Sequence, residues 1–267
     1  MLLHGKNFNG AYWRTTIEAL TDKGYRVIVP DQVGFGKSTK PEHFLYTFQQ
    51  LAVNTKTILD SLGVSKTSVL GHSMGGMLAT RFALMYPELT EKLILENPIG
   101  LEDWKLKVPY QPVDWWYENE LKKDYQQIKE YQRSNYYDGN WRDEYDEWVS
   151  LLSGWTLNSD YEVIAWNAAL TYDMIFTQPV LYEFDKLTTP TLLIIGTRDR
   201  TALGKGLVND SVQKTMGLYS ELGKKTKDII PNAKLVEIPN VGHLPHIESF
   251  DEFINPLMDF LESDTGK

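Results

Sequence analysis

Short apolar runs alternate with amphipathic stretches over the first hundred residues. Tyr25-Arg26-Val27-Ile28-Val29-Pro30, Lys66-Thr67-Ser68-Val69-Leu70 and Glu91-Lys92-Leu93-Ile94-Leu95-Glu96 are short runs with apolar centres, which predicts strands over 25–30, 66–71 and 91–96. Residues 48–62 and the run that begins at Met77 carry apolar side chains at helical spacing. The alternation returns after residue 190, with strands predicted over 191–195 and 234–238 and helices over 211–223 and 250–262. Met1-Leu2-Leu3-His4-Gly5 reads as the end of a further buried strand. This pattern predicts an α/β fold, a mostly parallel sheet with helices on both faces.

The segment 101–182 breaks the pattern. Its periodicity is helical, as over 118–133 and 141–152, and it holds seven of the eight tryptophans and ten of the fifteen tyrosines. It also carries 15 acidic and 7 basic residues, nearly all of the chain's net charge of −9. Placed between two strands, it predicts a helical cap over the carboxyl edge of a core made of residues 1–100 and 183–267. Most of its aromatic residues are expected to form the cap's own core. Trp104, Trp115 and Trp155 are the candidates to line a substrate pocket.

The chemistry is concentrated where strands end. Gly71-His72-Ser73-Met74-Gly75-Gly76 follows a predicted strand and precedes a predicted helix. That is the setting in which a G-x-S-x-G turn lifts its serine to the sheet edge as a nucleophile. An activated serine needs a base and the base needs an orienting acid. His243, in the loop after 234–238, is the candidate base, with His246 as its competitor. Asp199, in the loop after 191–195, is the candidate acid, against the alternative of an ion pair with a neighbouring arginine. The backbone N–H groups of Lys6 and Met74 are the candidate oxyanion donors.

Other readings fall away. The acidic balance, with a pI near 5.1, argues against nucleic acid as a partner. No apolar run approaches the ~18 residues of a membrane span. The chain has no cysteine, which excludes disulfides and thiolate chemistry. His243-x-x-His246 lacks an evident third ligand, so no metal is expected, and no cofactor motif is present. Gly34-Phe35-Gly36-Lys37-Ser38 lacks the glycine spacing of phosphate and dinucleotide loops, since position 31 is Asp31 and position 39 is Thr39.

With His4-Gly5, Asp31-x-x-Gly34-x-Gly36-x-Ser38, the 71–76 turn, Asp199 and Gly242-His243 in this order, the chain resembles the α/β-hydrolases. The resemblance spans almost the whole sequence. It implies a capped serine hydrolase, esterase- or lipase-like, with positions 73, 199 and 243 as nucleophile, acid and base. Serine at the turn separates the chain from the haloalkane dehalogenases and epoxide hydrolases, which carry aspartate there. Family members usually have two further strands before His-Gly; with none before it here, either the sequence is truncated or the sheet is naturally shorter, and 25–30 would become a sheet edge, open to pairing as a homodimer.

The leading expectation is hydrolysis of a small-molecule ester with a neutral, apolar acyl group. The alternative is a C–C bond hydrolase of the meta-cleavage type, whose substrates are usually anionic and would be repelled by a cap of net charge −8. A ligand receptor built on the same fold is the non-enzymatic alternative. The compartment is open between the cytoplasm and an exported location reached through a signal peptide upstream of Met1.

Overall fold

The computed structural model describes residues 1–263. Among these, β1 (Leu2–Leu3), β2 (Thr67–His72), β3 (Thr90–Glu96), β4 (Thr191–Gly196) and β5 (Ala233–Ile238) form one sheet, in that spatial order and parallel throughout. Parallel neighbours need crossovers, and helices supply them. The two-residue period of the strands sends alternate side chains to opposite faces. Leu3, Val69, Leu93, Leu95, Leu193 and Ile195 enter one core cluster, against α2 (Phe48–Ser61), α3 (Met74–Met85) and Tyr219. Leu2, Leu70, Ile94, Leu192 and Ile194 enter the other, against α1 (Arg14–Asp22) and α11 (Phe250–Glu262). The predicted doubly covered parallel sheet is thus present.

Residues 25–30 depart from the expectation. They run beside β1, and the Leu2 amide donates to the Ile28 carbonyl at 2.9 Å, but they form no strand of the sheet. β1 is only two residues long and offers too little ladder to extend. The helix predicted over 211–223 is two: α8 (Asp210–Gln213) and α9 (Tyr219–Ile229). Gly217 divides them at φ +65°, where a Cβ would run into the Arg200 backbone.

Four helices lie between β3 and β4: α4 (Val113–Leu121), α5 (Tyr125–Asn135), α6 (Asp146–Ser153) and α7 (Tyr161–Thr177). The stretch 118–133 is interrupted because Asp124 caps α5, its side chain accepting from the Gln127 amide. A third cluster, with Phe8, Tyr12, Tyr136, Tyr145 and Trp148, packs this segment onto the loop that follows β1. α10 (Pro245–Glu248) follows the loop after β5.

Candidate active site

Five strand ends converge on one edge of the sheet, the position where open α/β sheets place their sites. Ser73 follows β2 with φ +56° and ψ −124°, a conformation that costs a non-glycine residue free energy and persists only when its surroundings enforce it. They do so here. The Ser73 amide donates to the Glu96 carbonyl at 3.2 Å, and the Ser73 carbonyl accepts from the Gly76 amide at 2.9 Å and the Ile99 amide at 3.2 Å. A Cβ at Gly71 would collide with the Gly75 carbonyl, and one at Gly75 with the Leu3 carbonyl. Both glycines are therefore required by close backbone approach.

His243, in the loop after β5, meets Asp199, in the loop after β4. Its Nδ1 lies 2.6 Å from Asp199 Oδ2, and both residues are buried. A carboxylate only accepts, so a proton sits on Nδ1, and in the neutral ring Nε2 carries the lone pair. Nε2 has no hydrogen-bond partner among the described residues. Burial works to raise the Asp199 carboxyl, but His243, the Thr201 amide and the Asn97 side chain outweigh it and hold it below the usual value. The arginine alternative does not apply at this position. Arg198 pairs with Glu248, whose other oxygen accepts from the Gly242 amide at 2.7 Å and so fixes the histidine loop.

Two residues around this pair carry no sequence motif. Asn97 follows β3 at φ +35°, and its Nδ2 donates to Asp199 Oδ2 at 2.8 Å while its Oδ1 accepts from the Gly196 amide at 2.8 Å. The second bond fixes which end of the amide faces the carboxylate. Tyr136 stacks on the His243 ring at 4.9 Å, and its carbonyl accepts from the His243 amide at 3.2 Å.

The remaining histidines face elsewhere. His246 places its Nδ1 2.8 Å from Glu96 Oε1 and stacks on Trp13 at 4.5 Å. The two rings of His243-x-x-His246 thus turn to different carboxylates. His72 donates from Nε2 to the His243 carbonyl at 2.8 Å, and burial holds its pKa well below the ordinary histidine value. His4 accepts from the Gln32 amide at Nε2 (2.9 Å), so its Nδ1 donates to the Gly5 carbonyl at 2.8 Å.

That bond anchors the turn Gly5-Lys6-Asn7-Phe8, closed by the Phe8 amide on the Gly5 carbonyl at 3.2 Å. Lys6 is the second residue of this turn. Met74 opens α3, and the first N–H groups of a helix have no acceptor within it. A Cβ at Gly5 would lie 2.7 Å from Ser73 Cβ, so this glycine keeps the space beside the serine open.

Ser73 and His243 line one pocket of about 440 Å3 with Lys6, Ile99, Tyr131, Tyr136 and Tyr172. Its aromatic wall is Phe8 and these three tyrosines, and none of the three candidate tryptophans lines it. Trp104 is buried in the main core cluster, and Trp115 packs edge-on against Trp116 at 4.7 Å. Trp155 lines a neighbouring chamber of about 670 Å3, which shares Lys6, Asn7 and Phe8 with the first pocket. Lys6 sends its side chain into this boundary, with Nζ 2.7 Å from Glu120 Oε1 and 4.0 Å above the Tyr172 ring. Burial lowers the Lys6 ammonium to about 8 despite Glu120. Burial also works to raise the Glu120 carboxyl, but Lys123 and Lys6 prevail and hold it at about 2.

A probable hydrolytic enzyme of Pseudomonas aeruginosa shares 52% identity with this chain, with a TM-score of 0.96 over 98% of this chain and 84% of the other. The putative carbamate hydrolase RutD of Stutzerimonas stutzeri is 24% identical over 273 residues, all of this chain and 92% of that protein. A 2-hydroxy-6-oxo-6-phenylhexa-2,4-dienoate hydrolase of Burkholderia cepacia is 39% identical over 107 residues, 38% of this chain and 36% of the other. The family described as alpha/beta hydrolase fold matches residues 1–250. With the covered parallel sheet and the turn at Ser73 in the matched region, the chain belongs to the alpha/beta hydrolase fold family.

Proposed function

We propose that the chain is a serine hydrolase that cleaves carboxylic esters through an acyl-enzyme, with residues 101–182 as its cap. One observation carries this reading: His243, bonded to Asp199 through Nδ1, has its Nε2 unpartnered among the described residues and lines the pocket that holds Ser73. Ser73 Oγ attacks the ester carbonyl as Nε2 takes its proton. Asp199 holds the tautomer and stabilises the imidazolium. The amides of Lys6 and Met74 receive the oxyanion, and removal of one such donor typically costs about 3 kcal/mol. The imidazolium then protonates the leaving alkoxide, and water, deprotonated by His243, releases the acid.

A C–C bond hydrolase using the same three residues is the second reading, supported by the similarity to the Burkholderia cepacia dienoate hydrolase. A panel of p-nitrophenyl esters and a ring-fission dienoate, assayed with the wild type and Ser73→Ala, separates the two. Turnover of esters that vanishes in Ser73→Ala supports the ester reading. Turnover of the dienoate alone overturns it.

A further inference from the structure

The charge of the segment 101–182 is divided between outside and inside. Asp114, Glu118, Asp124, Glu130, Asp143 and Glu144 are exposed, where water and salt screen them. The chamber beside the Ser73 pocket has the opposite balance, for among the described residues Lys6, Lys40 and Lys123 line it against the single carboxylate of Glu120. Glu120 Oε1 accepts from Lys6 at 2.7 Å and from Lys123 at 2.8 Å, so two ammonium groups share one negative charge. Lys40 donates to the Gly36 and Ser38 carbonyls and lies 4.7 Å above the Trp155 ring. Its other electrostatic neighbour is Asp31, which is occupied by the Gly10 and Lys37 amides at 2.7 Å. The remaining walls include Phe8, Phe35, Ile128 and Ile164, an apolar frame in which an excess positive charge acts strongly.

We infer that the substrate carries an anionic group, a carboxylate remote from the scissile bond, which sits in this chamber between Lys40 and Lys123. Lys6 marks the boundary of the two spaces, so one molecule spans them with its carbonyl at Ser73 and its anionic end beyond Lys6. The inference rests on the serine-hydrolase reading and reverses the repulsion expected from the overall cap charge. The outer acids do not face the chamber, whereas the lysines do.

The test compares matched substrates that differ only in charge. 4-Acetoxybenzoate against its methyl ester probes the leaving-group arm, and the p-nitrophenyl monoester of suberic acid against p-nitrophenyl octanoate probes the acyl arm. In at least one pair, the ratio of kcat/KM for the anionic over the neutral substrate falls by about tenfold in Lys123→Gln, the size of one lost charge-assisted hydrogen bond. The ratio is retained in Lys123→Arg. Lys40→Gln, at a half-exposed position, provides the same reading if Lys123→Gln does not fold. Ratios that stay within about twofold in both pairs, with Ser73 still labelled by a fluorophosphonate, overturn the inference and leave the hydrolase reading standing. Absence of both labelling and ester turnover defeats the hydrolase reading and the inference with it.

Discussion

Asn97 and His243 bond to the same oxygen of Asp199: Asn97 Nδ2 donates to Oδ2 at 2.8 Å and His243 Nδ1 lies 2.6 Å from it. The carboxylate is therefore held from two strand ends, and its bond to the histidine does not depend on one loop alone. Asn97→Ala removes one donor to a buried carboxylate. kcat/KM on a p-nitrophenyl ester is expected to fall about tenfold, since hydrogen bonds to charged groups are worth about 1.5–3 kcal/mol. The native pKa of Asp199 is depressed, so its stabilisation is present above the unfolded value and is lost as pH falls through the folded one. Loss of Asn97 lessens the depression. Acid unfolding followed by circular dichroism should then begin at a higher pH than in the wild type. An unchanged acid midpoint would contradict the role given to Asn97.

Glu120→Gln tests the buried pair with Lys6. Removing one partner leaves a buried cation uncompensated, which typically costs about 3–5 kcal/mol. The thermal midpoint at pH 7 should fall accordingly. The pH dependence has a defined sign. Glu120 is depressed to about 2, so its stabilisation is present above the ordinary carboxylate value and lost as pH falls towards 2. Lys6 is depressed to about 8, so stability rises as pH increases from there towards its unfolded value. In Glu120→Gln the penalty on charged Lys6 is larger and is relieved as the lysine deprotonates. The gap in melting temperature between wild type and variant should therefore narrow between pH 7 and pH 9. A constant gap would show that Lys6 does not titrate there.

Gly5→Ala places a Cβ 2.7 Å from Ser73 Cβ and 2.8 Å from the Phe8 ring. The turn carrying the Lys6 amide must shift to make room. A displaced oxyanion donor is expected to lower kcat by about a hundredfold. Steady-state kinetics beside a melting curve give the check, since a loss confined to stability would remove Lys6 from the oxyanion role.

Tyr131 and Trp104 should behave in opposite ways. Tyr131 lines the Ser73 pocket and is half-exposed, so Tyr131→Ala should move the acyl-length preference towards longer chains with little change in melting temperature. Trp104 is buried in the main core, and Trp104→Ala should cost about 3–5 kcal/mol without a change in preference. Reversal of the two outcomes would return the tryptophan to the pocket.

The contrast between these residues marks what the sequence makes legible. Ser73, Asp199 and His243 each follow a strand whose β-rich pattern ends just before them, so local pattern and chain order suffice to find them. Asn97 also follows a predicted strand, but no serine-hydrolase motif points to it, because its task is to orient a carboxylate 102 positions away. Lys6 and Glu120 are separated by 114 positions, and nothing local to either marks a shared salt bridge. The break between α4 and α5 was available as Asp124-x-x-Gln127, a cap signal hidden under a continuous amphipathic pattern. Residues 25–30 carry the right alternation, with Val27 and Val29 packed against one core and Ile28 against the other. What they lack is a long enough partner in β1, which is a property of the pairing and not of the segment.

The central claim is that Ser73 is the nucleophile. Peptide mass spectrometry after brief reaction with a p-nitrophenyl ester, quenched in acid, reads it directly. The account predicts an acyl adduct on the peptide containing Ser73, absent from Ser73→Ala, together with loss of ester turnover in that variant. Sustained turnover in Ser73→Ala, or an adduct that forms on another residue in both proteins, would contradict it.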